Sequence, residues 1–334
     1  MRSELIHKIF STRREQMEAL CLEIFRFQYD QNPVYQAFAN SINRKPETVQ
    51  NIRQIPFLPI RFFKTHEIKT GHYEPETWFE SSGTTGMVNS KHLIRSLDLY
   101  RESFSRGFRK FYGDPADWCI LGLLPSYLER QHSSLVVMVN ELMQQSAHPD
   151  NGFYLYNHQE LKEKLEGLER SKQKTLLFGV TFALLDFAEY CRLPLNNTVI
   201  METGGMKGRR TEITRQALHD TLAASFPGAG IHSEYGMTEL LSQAYCGDNG
   251  RFYCPQWMQI LLREEDDPLS LLDSQKISGD RPASGAINII DLANLDSCCF
   301  LATDDIGKQY ADGGFEVLGR LDNSDIRGCS LLTV

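Results

Sequence analysis

The first forty residues show apolar and polar positions repeating with the period of an α-helix. Apolar side chains recur at helical spacing over residues 3–29, which predicts one or two amphipathic helices. Gln31-Asn32-Pro33 interrupts this pattern, and a short helix is expected over 34–41. The stretch 55–60 holds two prolines and is too proline-rich for a helix interior. The N-terminal segment is therefore predicted to be helical as far as residue 41.

Short apolar runs then alternate with helical patterns as far as residue 235. The predicted strands are 78–80, 119–124, 175–180, 198–201 and 231–233. The predicted helices are 96–112, 133–145, 159–170, 181–191 and 211–225, the last with Thr211 or a neighbour as its cap. The recurrent order of strand, turn and helix is typical of an α/β fold with substantial parallel sheet. In such folds ligands bind beyond the carboxyl ends of the strands.

The pattern changes after about residue 250, where long helical patterns are lacking. Short strand-like runs there alternate with Gly, Asp and Pro turns, at 258–262, 286–290, 298–302 and 315–318. We therefore expect an α/β core over 1–250, a β-rich subdomain of the same core over 251–322, and a short C-terminal tail over 323–334.

Composition and charge narrow the class of protein. The 334 residues are 41% hydrophobic and 23% charged, which is ordinary for a globular chain of this length. The net charge of −8 argues against a nucleic-acid partner, because nonspecific binding of nucleic acid needs a basic surface. No apolar run approaches the ~18 residues of a membrane span, and no signal-peptide core is evident. We expect a cytoplasmic protein whose eight cysteines are reduced thiols.

The strongest chemical signal is the hexad Ser81-Ser82-Gly83-Thr84-Thr85-Gly86. Hydroxyls and backbone N–H groups in such a turn can satisfy the oxygens of a phosphate. It is not a Walker A loop, because no Gly-Lys-Ser/Thr follows, and it lacks the spacing of the dinucleotide fingerprint. A surface turn is the alternative interpretation, since turns favour the same residues.

Further Gly- or Asp-bearing segments follow predicted strands along the chain. They are Gly204-Gly205, Tyr235-Gly236-Met237-Thr238-Glu239, Thr303-Asp304-Asp305 and Gly319-Arg320-Leu321-Asp322. With the hexad, Phe57-Leu58-Pro59, Phe63-Lys64 and the stretch 124–130, this ordered set resembles the adenylate-forming, acyl-activating enzyme superfamily. It is most similar to the acyl-protein synthetase (LuxE) family, which is itself similar to phenylacetate-CoA ligases. The resemblance spans roughly residues 55–329.

This resemblance implies ATP-dependent activation of a carboxylic acid, expected to be a fatty acid, with ATP and Mg²⁺ as cofactors. Attack of the carboxylate on the α-phosphate of ATP gives an acyl-adenylate with AMP as a competent leaving group, so the protein mainly positions groups and neutralises charge. The implied fold is a large acyl-activating domain with parallel sheets and a β-rich subdomain. Because the chain stops 12 residues after Asp322, the superfamily's C-terminal lid domain and its lysine are expected to be absent. Lys64 or Lys207 would then be the possible substitutes for that lysine; the alternatives are a lysine supplied by a partner and a low rate of adenylation.

The resemblance also assigns phosphate and metal contacts. The hexad 81–86 would hold the β- and γ-phosphates, with hydroxyls donated by Thr84 and Thr85. Thr238 would contact the α-phosphate, and Glu239 would bind Mg²⁺, a hard cation that prefers oxygen ligands. A carboxylate at the N-terminus of a helix is the alternative interpretation of Glu239.

Nucleoside contacts follow in the same way. Gly204 and Gly205 would line the adenine pocket, and Tyr235 would stack on adenine with Gly236 beside it. Asp304 would accept the ribose hydroxyls, with Asp305 kept as an alternative, and Arg320 would reach the ribose or a phosphate. The alternatives are an ordinary half-buried Tyr235, a turn at Asp304-Asp305, and a surface ion pair between Arg320 and Asp322.

The resemblance also implies an acceptor for the acyl group. In the acyl-protein synthetase family the acyl group passes to a cysteine near the C-terminus and then to a partner reductase. Cys329 matches that position, and Arg327 would help to lower its pKa; a small buried apolar residue is the alternative. His132 would orient a carboxylate or thioester, or would be a capping or core histidine.

The resemblance implies that an acyl reductase or an acyl carrier is the partner. An acyl-CoA ligase of the phenylacetate-CoA ligase type and a catalytically weak nucleotide-binding module are the alternative functions.

Overall fold

The computed structural model describes residues 1–81, 88–124, 132–204, 213–272 and 282–321, and the structural statements below concern these residues. They form two compact units. Unit 1 comprises Met1–Phe104, Met237–Gln243 and the described residues from Tyr253 onward. Unit 2 comprises Ser105–Gly236, within its described parts, and Ala244–Phe252. The sequence-based division at residues 250 and 322 stays a prediction.

Unit 1 opens with the predicted N-terminal helices. They are α1 (Arg2–Ser11), α2 (Met17–Gln31) and α3 (Pro33–Ser41), and a single turn of helix, α4 (Phe62–Thr65), follows. Asn32 separates α2 from α3, and its side chain accepts a hydrogen bond from Tyr35 N at 3.0 Å. Pro33 stands at the first position of α3, where a missing N–H costs nothing. The helical prediction for this region is confirmed, with two helices over 3–29.

The main sheet of unit 1 is antiparallel. Its strands lie in the order β11 (Met258–Arg263), β12 (Ala283–Asp291), β13 (Phe300–Gln309) and β14 (Phe315–Arg320). A short strand, β1 (Leu58–Pro59), pairs in parallel with β13, with Leu58 opposite Leu301. The β-rich prediction is confirmed, although β12 and β13 are longer than expected. Asp304 and Asp305 lie within β13 and not at its end, so their interpretation as a turn was wrong.

A separate antiparallel hairpin in unit 1 consists of β2 (Thr77–Glu80) and β3 (Lys91–Ile94). The predicted strand at 78–80 is confirmed, whereas β3 was not predicted. In sequence, the hexad 81–86 lies between these two strands. The hairpin therefore determines where the chain enters and leaves that segment.

Unit 2 has a parallel sheet in the order β8 (Gly230–Tyr235), β7 (Thr198–Glu202), β6 (Thr175–Gly179), β4 (Cys119–Leu123) and β5 (Gly152–Tyr154). Strand β9 (Ala244–Cys246) pairs antiparallel with β8, and β10 is Phe252–Tyr253. Every residue of β4 and β6 is buried, as in parallel sheets covered on both faces. The predicted α/β fold is confirmed, although β5, β9 and β10 were missed.

The helices of unit 2 follow the predicted order. They are the C-terminal part of α5 (Leu97–Tyr112), then α6 (Ser134–Ser146), α7 (His158–Arg170), α8 (Thr181–Tyr190) and α9 (Arg215–Ser225). Helix α9 begins later than the predicted residue 211, because the Thr214 side chain accepts from Ala217 N at 3.2 Å and caps it. Residues 205–212 lie outside the described part of the chain.

Candidate active site

Ser81 is the one hexad residue within the described part of the chain, and it extends the β2–β3 hairpin. Its backbone N–H donates to the Ser90 carbonyl at 3.0 Å, and Ser90 N–H donates to Ser81 Oγ at 2.8 Å. Ser81 is buried, and its hydroxyl oxygen accepts this hydrogen bond within the hairpin. Ser82, Gly83, Thr84, Thr85 and Gly86 lie outside the described residues. Their phosphate-binding role stays a prediction.

The loop 238–242, which carries Thr238 and Glu239, lies in unit 1 and is held at two successive carbonyls. The Thr238 carbonyl lies 2.9 Å from His92 Nδ1 on β3. The Glu239 carbonyl accepts a hydrogen bond from Asn294 Nδ2 at 2.8 Å. Leu240 N–H donates to the Met237 carbonyl at 3.1 Å and closes a turn. The interpretation of Glu239 as a carboxylate at a helix N-terminus was therefore wrong.

Asp291 holds the other end of the same loop. Its Oδ2 accepts from Leu241 N and Ser242 N, each at 2.9 Å, and its Oδ1 accepts from Ser242 Oγ at 2.6 Å. Asp291 is fully buried, and burial raises the pKa of this carboxyl to about 6 against the opposing effect of its hydrogen bonds. Trp257 Nε1 donates to Ser242 Oγ at 2.9 Å from the other side. The loop 238–242 is thus fixed by buried side chains at both of its ends.

The Glu239 carboxylate is buried, and one of its two oxygens has no hydrogen-bond partner among the described residues. The side chain is 1% exposed, and its Oε2 is buried without a hydrogen-bond partner among the described residues. Burial of an unpartnered carboxylate oxygen costs free energy that a bound cation would recover. One free carboxylate oxygen fits Mg²⁺, which is usually bound through one or two carboxylates plus phosphate oxygens. Glu239 therefore suits the metal-binding role that the sequence predicts for it.

Asp304 and Asp305 occupy a basic environment on β13. Arg61 Nε donates to Asp304 Oδ2 at 3.1 Å, and Arg320 Nη2 lies 3.9 Å from the same oxygen. Arg320 Nε donates to Asp305 Oδ1 at 3.3 Å, across the β13–β14 pair. Asp322, the ion-pair partner considered for Arg320, lies outside the described residues. Asp304 and Arg320 are therefore neighbours, and their contacts with a nucleotide stay a prediction.

A buried arginine supports the backbone next to Asp304. Arg263 Nη2 donates to the Thr303 carbonyl at 2.7 Å, and its Nε donates to Asn288 Oδ1 at 3.0 Å. Loss of hydration lowers the pKa of Arg263 from its ordinary value, and the charge of Asp304 opposes that shift. The Arg263 guanidinium and the pairing of β13 with β14 together fix the backbone from which the Asp304 side chain extends.

In unit 2, Glu202 organises the turn at Gly204. Glu202 Oε1 accepts from Gly204 N at 2.5 Å and from Thr181 Oγ1 at 2.8 Å. Burial raises the pKa of this carboxyl, and these hydrogen bonds oppose the increase. Gly204 has a φ of +72°, a conformation that glycine adopts at little cost. Gly205 lies outside the described residues, so the two predicted adenine-pocket glycines are not both seen.

Tyr235 ends β8 and is half-buried. Its ring lies 5.8 Å from the Phe252 ring, and the guanidinium of Arg215 covers Phe252 at 4.7 Å. Loss of hydration and the neighbouring Glu202 raise the pKa of Glu234 to about 8, which favours its protonated form near neutral pH. Gly236 is exposed and follows Tyr235. Adenine stacking by Tyr235 stays a prediction.

The predicted residues for acyl transfer are only partly described. Half-buried His132 precedes Ser133, whose side chain caps α6 by accepting from Val136 N at 3.3 Å. Residues 125–131 and Cys329 lie outside the described part. The seven described cysteines form no disulfide bond. The roles of His132 and Cys329 stay predictions.

None of the helices in the described part of the chain combines the length and apolarity needed to cross a membrane. The same residues include no cluster of three or more His, Cys, Asp or Glu side chains suited to hold a metal ion.

Sequence reasoning missed the side chains that hold the loop 238–242, namely His92, Asp291 and Asn294. Asp291 is the N-cap of a turn of 3-10 helix that ends at Asn294, and a local capping role is the ordinary expectation for such an aspartate. Their long-range partners have no signal in a single sequence, because a hydrogen bond across 50 or more residues leaves no periodic pattern.

Comparison with known families matches residues 8–333 to the family described as Acyl-protein synthetase, LuxE. Comparison with curated proteins finds no match.

Solved structures with a similar fold include the following three proteins. The 2-hydroxyisobutyryl-CoA ligase in the postadenylation state with R3-HIB-AMP is 12% identical, with a TM-score of 0.65 over 96% of this chain and 72% of that one. ATP-bound MatB from Rhodopseudomonas palustris is 17% identical, with a TM-score of 0.53 over 73% of this chain and 47% of that one. O-succinylbenzoate coenzyme A synthetase (MenE) from Bacillus subtilis, in complex with ATP and magnesium ion, is 17% identical, with a TM-score of 0.52 over 75% of this chain and 51% of that one. The chain spans about half the length of the MatB and MenE structures, and the likeness concerns the fold.

Proposed function

Since the chain belongs to the acyl-protein synthetase (LuxE) family over residues 8–333, we propose that it activates a carboxylic acid with ATP. The acid's carboxylate oxygen attacks the α-phosphorus, the bond from that phosphorus to the bridging oxygen of the β-phosphate breaks, and pyrophosphate leaves with the electron pair. The products are an acyl-adenylate and pyrophosphate. We propose a fatty acid as the substrate.

The observation that carries this proposal is the Glu239 carboxylate. One of its oxygens is buried without a partner in the described part of the chain, on a loop whose backbone is held by His92, Asn294 and Asp291. A buried acidic group held this rigidly is suited to binding a cation with little reorganisation. When bound, Mg²⁺ would neutralise charge on the phosphates. Glu239 would hold it, and Thr238 would place its half-buried hydroxyl at the α-phosphate.

The ribose contacts are proposed on the geometry of β13 and β14. Asp304 Oδ2 accepts a hydrogen bond from Arg61 Nε and lies 3.9 Å from Arg320 Nη2. A carboxylate can accept hydrogen bonds from both hydroxyls of a ribose. The flanking guanidiniums of Arg61 and Arg320 hold the Asp304 side chain in place. In unit 2, Tyr235 and Gly204 are the proposed adenine contacts.

The acyl acceptor distinguishes two versions of the function. We propose transfer to a protein thiol, with Cys329 as the acceptor: the thiolate attacks the acyl carbonyl, a thioester forms and AMP leaves. The acyl group would then pass to an acyl reductase or an acyl carrier. An acyl-CoA ligase would instead release the CoA thioester and leave the protein unmodified.

Direct product analysis tests both parts of the proposal. The protein is incubated with Mg·ATP and a panel of carboxylic acids of graded chain length, with and without CoA, and products are identified by mass spectrometry. We expect acyl-AMP, and intact protein that gains one acyl mass in the wild type but not in Cys329→Ser. Acylation retained in Cys329→Ser would remove Cys329 from the scheme. Acyl-CoA without acylated protein would establish the CoA ligase, and tight ATP binding with no product would indicate a binding module.

A further inference from the structure

His92 connects two predicted parts of the site within unit 1. It lies on β3, opposite Phe79 of β2, and so belongs to the hairpin that brackets the hexad 81–86 in sequence. The ring is 1% exposed, and both nitrogens have partners. Nδ1 lies 2.9 Å from the Thr238 carbonyl oxygen, and Nε2 lies 2.8 Å from Ser297 Oγ.

The partners of His92 determine its tautomer. A carbonyl oxygen can only accept, so Nδ1 must carry the hydrogen that points at Thr238. Burial lowers the pKa of His92 to about 4, against the opposing effects of the Thr238 carbonyl and the charge of Asp296, so the ring is neutral near pH 7. Nε2 is then an acceptor, and the Ser297 hydroxyl donates to it. The Phe63 ring meets the imidazole edge to face at 5.3 Å, which further restricts its rotation.

We propose that His92 is a positioning residue that fixes Thr238 relative to the hairpin bracketing the hexad, through its Nδ1–H bond to the Thr238 carbonyl. This inference rests on the proposed function, because it requires that Thr238 contacts the α-phosphate. The α-phosphate must be held in line for attack while the β- and γ-phosphates leave as one group. A Thr238 held at a fixed position serves that geometry, and a displacement of about 1 Å can lower a rate about 100-fold.

Two amide substitutions separate the two hydrogen bonds of the ring. His92→Asn retains an N–H donor near the position of Nδ1 and loses the contact with Ser297. His92→Gln places its amide near the position of Nε2 and loses the donor to Thr238. Ser297→Ala is the matched control, because it removes the partner of Nε2 and leaves the Thr238 bond in place.

The assay is acid-dependent exchange of labelled pyrophosphate into ATP, with kcat and KM measured separately. We expect His92→Gln to lower kcat about 100-fold, with a smaller change in the KM for ATP. His92→Asn and Ser297→Ala should retain kcat within about threefold, although all three variants lower the melting temperature. Equal losses of kcat in the Asn and Gln variants, in proportion to their folded fractions, would overturn the proposal.

Nuclear magnetic resonance of the histidine nitrogens tests the proposal without turnover. We expect the Nδ1–H tautomer of His92, unchanged between about pH 5.5 and pH 8, and we expect His92→Gln to weaken binding of Mg·ATP. An Nε2–H tautomer, or titration above about pH 6, would overturn the inference even in an active enzyme. A wild type that forms no acyl-adenylate but shows the Nδ1–H tautomer would refute the proposed function alone.

Discussion

Replacing His92 by glutamine is predicted to cost more stability near neutral pH than in mild acid. Burial lowers the pKa of His92 from 6.5 to about 4. As the pH falls below 6.5, the unfolded wild type therefore takes up a proton that the folded protein does not bind. The stabilisation from burying the neutral ring is fully present above pH 6.5 and is lost as the pH falls towards the folded pKa.

The magnitude follows from the size of that shift. Each pKa unit corresponds to about 1.4 kcal/mol, so acidification from pH 6.5 to about pH 5 removes about 2 kcal/mol from the wild type. Glutamine does not titrate, so the stability difference between wild type and His92→Gln should shrink by about 2 kcal/mol between about pH 7.5 and pH 5. Urea unfolding followed by intrinsic fluorescence measures this difference at each pH. A difference that stays constant or grows in acid would refute the reasoning.

Asp291→Asn supplies a control of opposite sign. Burial raises the pKa of Asp291 from 3.8 to about 6, so the folded wild type binds the extra proton between these values. Its stabilisation by protonation is present below pH 3.8 and is lost as the pH rises through about 6. Acidification to about pH 5 should therefore stabilise the wild type relative to Asp291→Asn by about 1 kcal/mol. The same sign for both variants would show that the shifts do not arise from these two groups.

Three further substitutions test other parts of the structure. Asp304→Asn should raise the KM for ATP about tenfold with a smaller effect on kcat, whereas an unchanged KM would place the ribose elsewhere. Gly307→Ala should lower the free energy of unfolding by about 1–3 kcal/mol, because an added Cβ would lie 2.5 Å from the Glu316 carbonyl oxygen; calorimetry should show this, and wild-type stability would mean that the strands can separate there. Gly204→Ala should cost about 1–2 kcal/mol, because the φ of +72° strains any side chain, and an unaffected melting temperature would contradict that geometry.

Much of the fold could be predicted because its signals are local. Apolar periodicity located α1 to α3 and the alternating strands and helices of unit 2. Strands β5, β9 and β10 were missed because they are only three, three and two residues long. The position of Asp304 within β13 was also missed, since consecutive aspartates are typical of turns. Pairing with β14 and the support of Arg263 override that preference.

The sequence suggested the acidic residues of the candidate site, but it did not reveal the side chains that hold the loop 238–242 in place. Glu239 was assigned from the family resemblance, and its metal-binding role stays a prediction; its Oε2 is buried without a hydrogen-bond partner among the described residues. His92 reaches Thr238 across 146 residues, and Asp291 reaches Leu241 across 50. Such contacts depend on the completed fold, and a histidine on a short strand gives no local sign of them.

Exchange of labelled pyrophosphate into ATP, in the presence of a carboxylic acid and Mg²⁺, tests the account most directly. Glu239→Gln is compared with wild type and with Glu47→Gln, which alters an exposed carboxylate. We predict exchange that requires the acid, falls about 100-fold or more in Glu239→Gln and is unchanged in Glu47→Gln. Acid-dependent exchange that persists at the wild-type rate in Glu239→Gln would contradict the role of this carboxylate. Absence of exchange in the wild type across the whole panel of acids would contradict acyl-adenylate formation itself.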